Sequence, residues 1–179
     1  MGKLFNTSTL LAGLLSISWL ANAQTFKEKT MKDSLIAKGM IRVNASATQV
    51  WAAITNPETL RQIMLGMQPK SDWKAGSELR WIGRHEEKPN DNARGTIQVM
   101  NPNKTFSFTF FYPGYGYPDI AENYNTVTFT LSEANNTTIV EVVQGDFSVF
   151  KEGEAFRNHS QIFWDAALAK LKEVIEAQK

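Results

Sequence analysis

The residues that could support acid–base or metal chemistry are few and scattered. The chain has two histidines, His85 and His159, and no cysteine, so it lacks both a paired metal-ligand motif and a thiol nucleophile. No phosphate-binding loop, dinucleotide-binding glycine pattern or nucleophile elbow is present. Ser160 adjoins His159, but adjacent helical residues do not face each other. We expect His159 at a helix start or pocket edge, His85 at a solvated hairpin tip, and neither a metal nor a cofactor.

A catalytic alternative needs polar groups inside the fold. Arg80 or Arg84, together with Tyr124 or Tyr112, could polarise a ligand carbonyl in a cyclase-like pocket. Strand alternation, however, places Arg80 on the face opposite Trp81. No acid–base pair stands out, so the residues favour binding over catalysis.

Aromatic residues are the feature most open to a functional interpretation. Phe106, Phe108, Phe110 and Tyr112 share one face of a predicted strand. The simplest interpretation is that these rings fill a core. So many rings pack irregularly, however, and their faces suit a flat apolar ligand, so we predict a cavity. Its candidate lining residues are Trp81, Phe108, Phe110, Tyr112, Tyr124, Phe129, Trp164 and Leu168.

The segment 112–118 contains three tyrosines, two prolines and two glycines. Prolines and glycines of this kind set a turn and prevent regular structure. Tyr115 and Tyr117 are therefore candidates for a lid over the cavity. The alternative is a surface loop whose rings pack back on the sheet, and the sequence leaves both open.

The elements that must position these residues follow from periodicity. Alternation predicts a strand over 35–43, then Ser46 with Gln49 predicts a capping box and Asn56-Pro57 a second helix start. Several short strands separated by turns follow, and a long amphipathic helix from 154 or 156 ends at 177. The pattern predicts an α+β fold in which a bent antiparallel sheet of about six strands wraps the last helix.

The N-terminus has the composition of a secretory signal peptide. Lys3 precedes an apolar stretch, and Ala21-Asn22-Ala23 forms a small-x-small cleavage pattern. We expect residues 1–23 to be a signal peptide, 24–33 a flexible leader and 34–178 one domain, exported to the periplasm or secreted. The apolar stretch is too short for a membrane span, so no stable membrane insertion is expected after cleavage. Removing Lys3 leaves 18 basic and 18 acidic residues, a balance that argues against nucleic-acid binding.

Residues 43–58, which read VNASATQVWAAITNPE, resemble the opening of START-like (SRPBCC) helix-grip domains. More narrowly, they resemble the branch related to the C-terminal domain of the activator of the heat-shock-protein-ninety ATPase. Trp73-Lys74-Ala75-Gly76-Ser77, Gly95, the strand 127–131 and Trp164 with Leu168 and Leu171 extend the resemblance over about residues 34–177. It implies a helix-grip fold with a cavity for an apolar ligand between the sheet and the last helix. Where this branch often has a Trp-bearing segment, residues 63–67 read IMLGM, which implies a methionine-lined wall.

These features predict an exported protein that holds a small apolar or aromatic ligand. The alternatives are a cyclase- or isomerase-like enzyme using the same cavity, and an ATPase activator of the co-chaperone type. Fold alone does not decide between them.

Overall fold

The computed structural model describes residues 35–83 and 93–177, and the predicted signal peptide, the leader and His85 lie outside this range. All described residues belong to one compact unit. The order of elements is a strand, two short helices, six further strands and a long helix, which is the predicted order with one additional strand. The strands are β1 (Ala37–Val43), β2 (Gln68–Lys70), β3 (Glu78–Ile82), β4 (Ala93–Asn101), β5 (Thr105–Phe110), β6 (Asn125–Ala134) and β7 (Thr137–Gly145); the helices are α1 (Ala47–Thr55), α2 (Pro57–Ile63) and α3 (Gly153–Glu176).

The described strands form one antiparallel sheet with the order β1-β7-β6-β5-β4-β3-β2. The helix-grip α+β fold is therefore confirmed, with seven strands where the sequence suggested about six. The additional strand is β2, which has three residues and pairs with β3 from Gln68 to Lys70. A strand this short carries too few alternating residues to show a period.

The two short helices begin where the capping signals place them. Ser46 Oγ accepts a hydrogen bond from the Gln49 backbone N–H at 3.3 Å, and Gln49 Oε1 accepts one from the Ser46 N–H at 3.0 Å. Asn56 Oδ1 accepts from the backbone N–H groups of Glu58 and Thr59, both at 3.0 Å. These contacts satisfy backbone donors that a helix N-terminus leaves without an intrahelical partner.

Helix α3 packs its apolar stripe into the concave face of the sheet. Trp164, Leu168, Leu171 and Ile175 recur at helical spacing and are all buried. Gly39 of β1 allows the helix to come close, because a Cβ there would lie 2.6 Å from Leu168 Cδ1. Within the described residues, no helix is long and apolar enough to cross a membrane.

Candidate functional site: an aromatic cavity

A cavity of about 260 Å³ opens between the concave face of the sheet and the first half of α3. The walls come from five neighbouring strands, from α3, from the segment after α2 and from the loop after β5. Its lining residues are Met64, Met67, Trp81, Ala93, Phe108, Phe110, Tyr112, Tyr115, Val127, Gln144, His159, Ser160, Phe163 and Trp164. A volume of this size suits a small organic molecule of one or two fused rings.

Five of the eight predicted cavity residues lie in its wall. Trp81 comes from β3, whereas Phe108 and Phe110 come from β5 on the other side of β4. Phe108 and Phe110 share a face of the sheet because they are two residues apart in the strand. Tyr112 follows β5 with the same alternation, and Trp164 reaches across from α3. The Trp81 and Phe108 rings pack at a tilt with centroids 5.7 Å apart, a usual distance for an aromatic pair. That these side chains contact a ligand stays a prediction.

The prediction that Tyr124 lines the cavity is wrong. Its ring stacks on Phe111 with centroids 5.1 Å apart, and its hydroxyl donates to Asp119 Oδ1 at 2.6 Å. Phe111 sits one residue beyond Phe110 in the alternation and therefore points to the convex face. Arg94 completes this outer cluster with a hydrogen bond from its Nε to Asp119 Oδ2 at 2.8 Å.

Phe129 and Leu168 face inward as predicted, but they do not line the cavity. The Phe129 ring meets Trp164 edge-on at 5.4 Å and stacks on Phe106 at 6.2 Å, which makes it part of the packed core. Leu168 packs against β1 at Gly39. The prediction that both side chains face inward is correct, but neighbouring side chains fill the space around them.

The predicted lid segment docks on the beginning of α3 rather than on the sheet. Tyr115 lines the cavity and stacks on Phe156 with centroids only 3.9 Å apart. Tyr117 does not line it, because its ring meets Phe150 edge-on at 5.1 Å and its hydroxyl donates to Glu152 Oε2 at 2.6 Å. Tyr115 is thus a wall residue and Tyr117 an anchor of the loop, and opening of the loop as a lid stays a prediction.

A buried polar chain crosses the cavity wall, and the sequence analysis missed it. Trp164 Nε1 donates to Gln144 Oε1 at 2.8 Å, and Gln144 Nε2 donates to Asn125 Oδ1 at 3.1 Å. Gln144 and Asn125 are 3% and 4% exposed. Alternation along β7 puts Gln144 on the same inward face as Val140 and Val142. A glutamine at the end of this apolar series was the sequence feature that could have indicated a buried polar residue.

Of the two arginines considered for catalysis, the structure describes Arg80, and it does not line the cavity. Arg80 is exposed and forms an ion pair with Glu78 at 2.8 Å, and Arg84 lies outside the described residues. His159 is exposed and Ser160 buried, and both belong to the lining, which places His159 at the pocket edge. In the part of the chain that the structure describes, no group of three or more His, Cys, Asp or Glu side chains is arranged to hold a metal ion.

Comparison with known families matches residues 44–176 to the model of the Activator of Hsp90 ATPase homolog 1-like protein family. This stretch contains every strand and helix of the described fold except β1, and it includes the whole cavity lining. The chain belongs to this family. A search of the curated proteins finds no match.

Solved structures of similar proteins share the fold of this family member. Protein ChR145 from Cytophaga hutchinsonii is 33% identical, with 80% of this chain and 95% of that one covered and a TM-score of 0.66. The Aha1 dimer from Colwellia psychrerythraea is 18% identical over 79% and 96%, with a TM-score of 0.62. CalU16 from Micromonospora echinospora is 20% identical over 79% and 84%, with a TM-score of 0.60. The last two likenesses concern the fold alone.

The free energy of unfolding of this family member should fall in alkali. Burial raises the pKa of the Tyr115 phenol above its ordinary value of 10.0, although a hydrogen bond to Ser160 acts in the opposite direction. The unfolded chain therefore loses this proton at lower pH than the folded chain. The stabilisation that protonated Tyr115 gives the folded state is complete below pH 10 and is lost as pH rises through the folded pKa. Urea unfolding at a series of alkaline pH values measures this loss of stability. In Tyr115→Phe, the free energy of unfolding should fall less with rising pH. An unchanged slope in Tyr115→Phe would contradict it.

Proposed function

We propose that this protein is exported and binds a small, flat, neutral apolar molecule in the cavity between the sheet and α3. The observation that carries the proposal is the lining: in the described residues it consists of aromatic rings, aliphatic groups and methionines with a few uncharged polar groups and His159, without any Asp, Glu, Lys or Arg. Apolar ligand sites have this composition.

The cavity wall has one adaptable part and one fixed part. Met64 and Met67 have flexible thioether side chains, which adjust to irregular apolar shapes. Elsewhere in the wall, the hydrogen bonds of Gln144 to Trp164 and Asn125 hold the side chains in place. A pocket with one fixed and one adaptable wall suits binding of a family of related compounds.

A matched pair of ligands tests the proposal. Tetralin is neutral, and 5,6,7,8-tetrahydro-2-naphthoate has the same bicyclic skeleton with one negative charge. We expect tetralin to bind and raise Tm, and the carboxylate to bind at least about tenfold more weakly, because it loses hydration without a cationic partner in the described lining. Equal binding of the two compounds, or no binding of either, would contradict the proposal.

Export is tested separately by cell fractionation and intact-mass measurement in the source organism. We expect a periplasmic or secreted chain that begins at Gln24. A cytosolic chain that retains residues 1–23 would remove export from the proposal without affecting the cavity.

Family membership supports a second candidate, activation of a chaperone ATPase. A pull-down from periplasm and cytosol distinguishes it: recovery of such an ATPase in stoichiometric amount, with stimulated turnover, would favour this candidate over ligand binding. Export would separate the domain from that machinery, which is why ligand binding is placed first.

A further inference from the structure

The indole nitrogen of Trp81 is buried without a hydrogen-bond partner in the described part of the chain. Trp81 is 3% exposed, lies on β3 and forms part of the cavity wall. An indole N–H can only donate, and leaving a buried donor unpaired is costly, so nearly all such groups in folded proteins have a partner. Trp164, the other tryptophan of this wall, has such a partner, because its indole N–H donates to Gln144.

The orientation of the Gln144 amide adds a second donor to the same cavity. Because Trp164 can only donate, the atom it contacts at 2.8 Å must be the amide oxygen of Gln144. The amide nitrogen donates one hydrogen to Asn125 at 3.1 Å. A second hydrogen on this nitrogen is not used by either contact, and Gln144 lines the cavity.

Trp81 and Gln144, which both belong to the cavity lining, therefore each have an N–H hydrogen without an acceptor among the described contacts. Without a cationic side chain in the described lining, an anionic acceptor would be buried uncompensated. A neutral acceptor avoids this cost, and on a flat, mostly apolar molecule the usual neutral acceptor is a carbonyl oxygen.

We infer that the ligand is an aromatic ketone or quinone and that Trp81 Nε1 donates a hydrogen bond to its carbonyl oxygen. This inference rests on the proposed function. The nitrogen is shielded from solvent, so the oxygen reaches it as neighbouring side chains move. Met64 and Met67 line the same cavity and have the flexibility that this movement needs.

The test compares 1-tetralone with tetralin, which differ by one carbonyl in place of a methylene. Calorimetric Kd values are measured for both compounds on the native protein and on Trp81→Phe, which keeps an aromatic ring but removes the N–H. We expect the tetralone-to-tetralin Kd ratio to rise about tenfold in the variant, because the loss of ring contact weakens both compounds and cancels in the ratio. Taking the ratio between proteins cancels the different hydration of the two compounds.

A second measurement uses the unmodified protein, so the test survives if Trp81→Phe folds poorly. In ¹⁵N-labelled protein, the Trp81 indole N–H resonance should move downfield with tetralone and much less with tetralin, whereas that of Trp51, which is absent from the cavity lining, should not move. An unchanged Kd ratio, or a Trp81 indole resonance that does not shift with tetralone, would overturn the inference without affecting the proposed function. Failure of both compounds to bind the native protein would overturn the proposed function, and the inference with it.

Discussion

Replacing Ala93 with phenylalanine should abolish ligand binding while the domain stays folded. Ala93 is 3% exposed, pairs with Trp81 in the β3–β4 register and lines the cavity. A phenyl ring added there projects into the space of about 260 Å³ that the ligand would use. A ring that fills empty space meets less resistance than one forced into a packed core, where overpacking costs about 1–3 kcal/mol.

Calorimetry with tetralin measures the effect, and we expect a loss of at least about a hundredfold in affinity, equivalent to about 2.7 kcal/mol. The matched control is Thr96→Phe, which adds a ring to the same strand at an exposed position on the opposite face. Native-like affinity in Ala93→Phe would place the ligand elsewhere. Equal loss in both variants would indicate damage to β4 instead of a blocked cavity.

Replacing Gly95 with alanine should destabilise the domain severely. A Cβ at this position would lie 1.6 Å from the Thr109 carbonyl oxygen, a backbone atom that cannot move aside without breaking the β4–β5 pairing. The register between these strands shifts between Ile97 and Val99, where the sheet is irregular. We expect the free energy of unfolding to fall by about 3 kcal/mol or more, which is typical of a severe steric conflict.

Urea unfolding of Gly95→Ala checks this prediction beside Gly83→Ala. Gly83 is the matched control because a Cβ there meets no atom of the described residues within 4 Å, so we expect its replacement to change stability by less than about 0.5 kcal/mol. Comparable unfolding midpoints for the two variants would show that β4 and β5 do not approach as closely as described.

The sequence predicted the elements whose signals are local. The capping residues Ser46 and Asn56 form the contacts that their types indicate, because a cap depends only on the next few residues. The alternation of Phe106, Phe108 and Phe110 also gave the correct inward face, since the period of two is a property of the strand alone.

The boundary of the cavity could not be predicted in the same way. Phe108 and Phe129 both face inward, yet one lines the cavity and the other is enclosed by core side chains. What separates them is how neighbouring strands and α3 fill the interior, which depends on contacts distant in sequence. The prediction for Tyr124 was wrong for another reason. Tyr124 follows a short helical turn at Ala121–Asn123 and precedes β6, so strand alternation does not determine where its side chain points.

Buried polar residues were missed because their role depends on a partner far along the chain. Gln144 lies 20 residues from Trp164 and 19 from Asn125, and no local pattern relates the three. That the Trp81 N–H has no partner among the described residues is likewise visible only in the three-dimensional structure.

Methionine methyl NMR tests ligand binding in the cavity most directly. Met64 and Met67 line the cavity, whereas Met40 lies on β1 with 67% of its surface exposed. On titration with tetralin, the Met64 and Met67 methyl resonances should shift together and saturate, because aromatic ring currents act only at close range, while Met40 stays unchanged. Saturable shifts confined to Met64 and Met67 are the predicted result. Unmoved cavity methyls, or equal shifts at Met40, would contradict a ligand site between the sheet and α3.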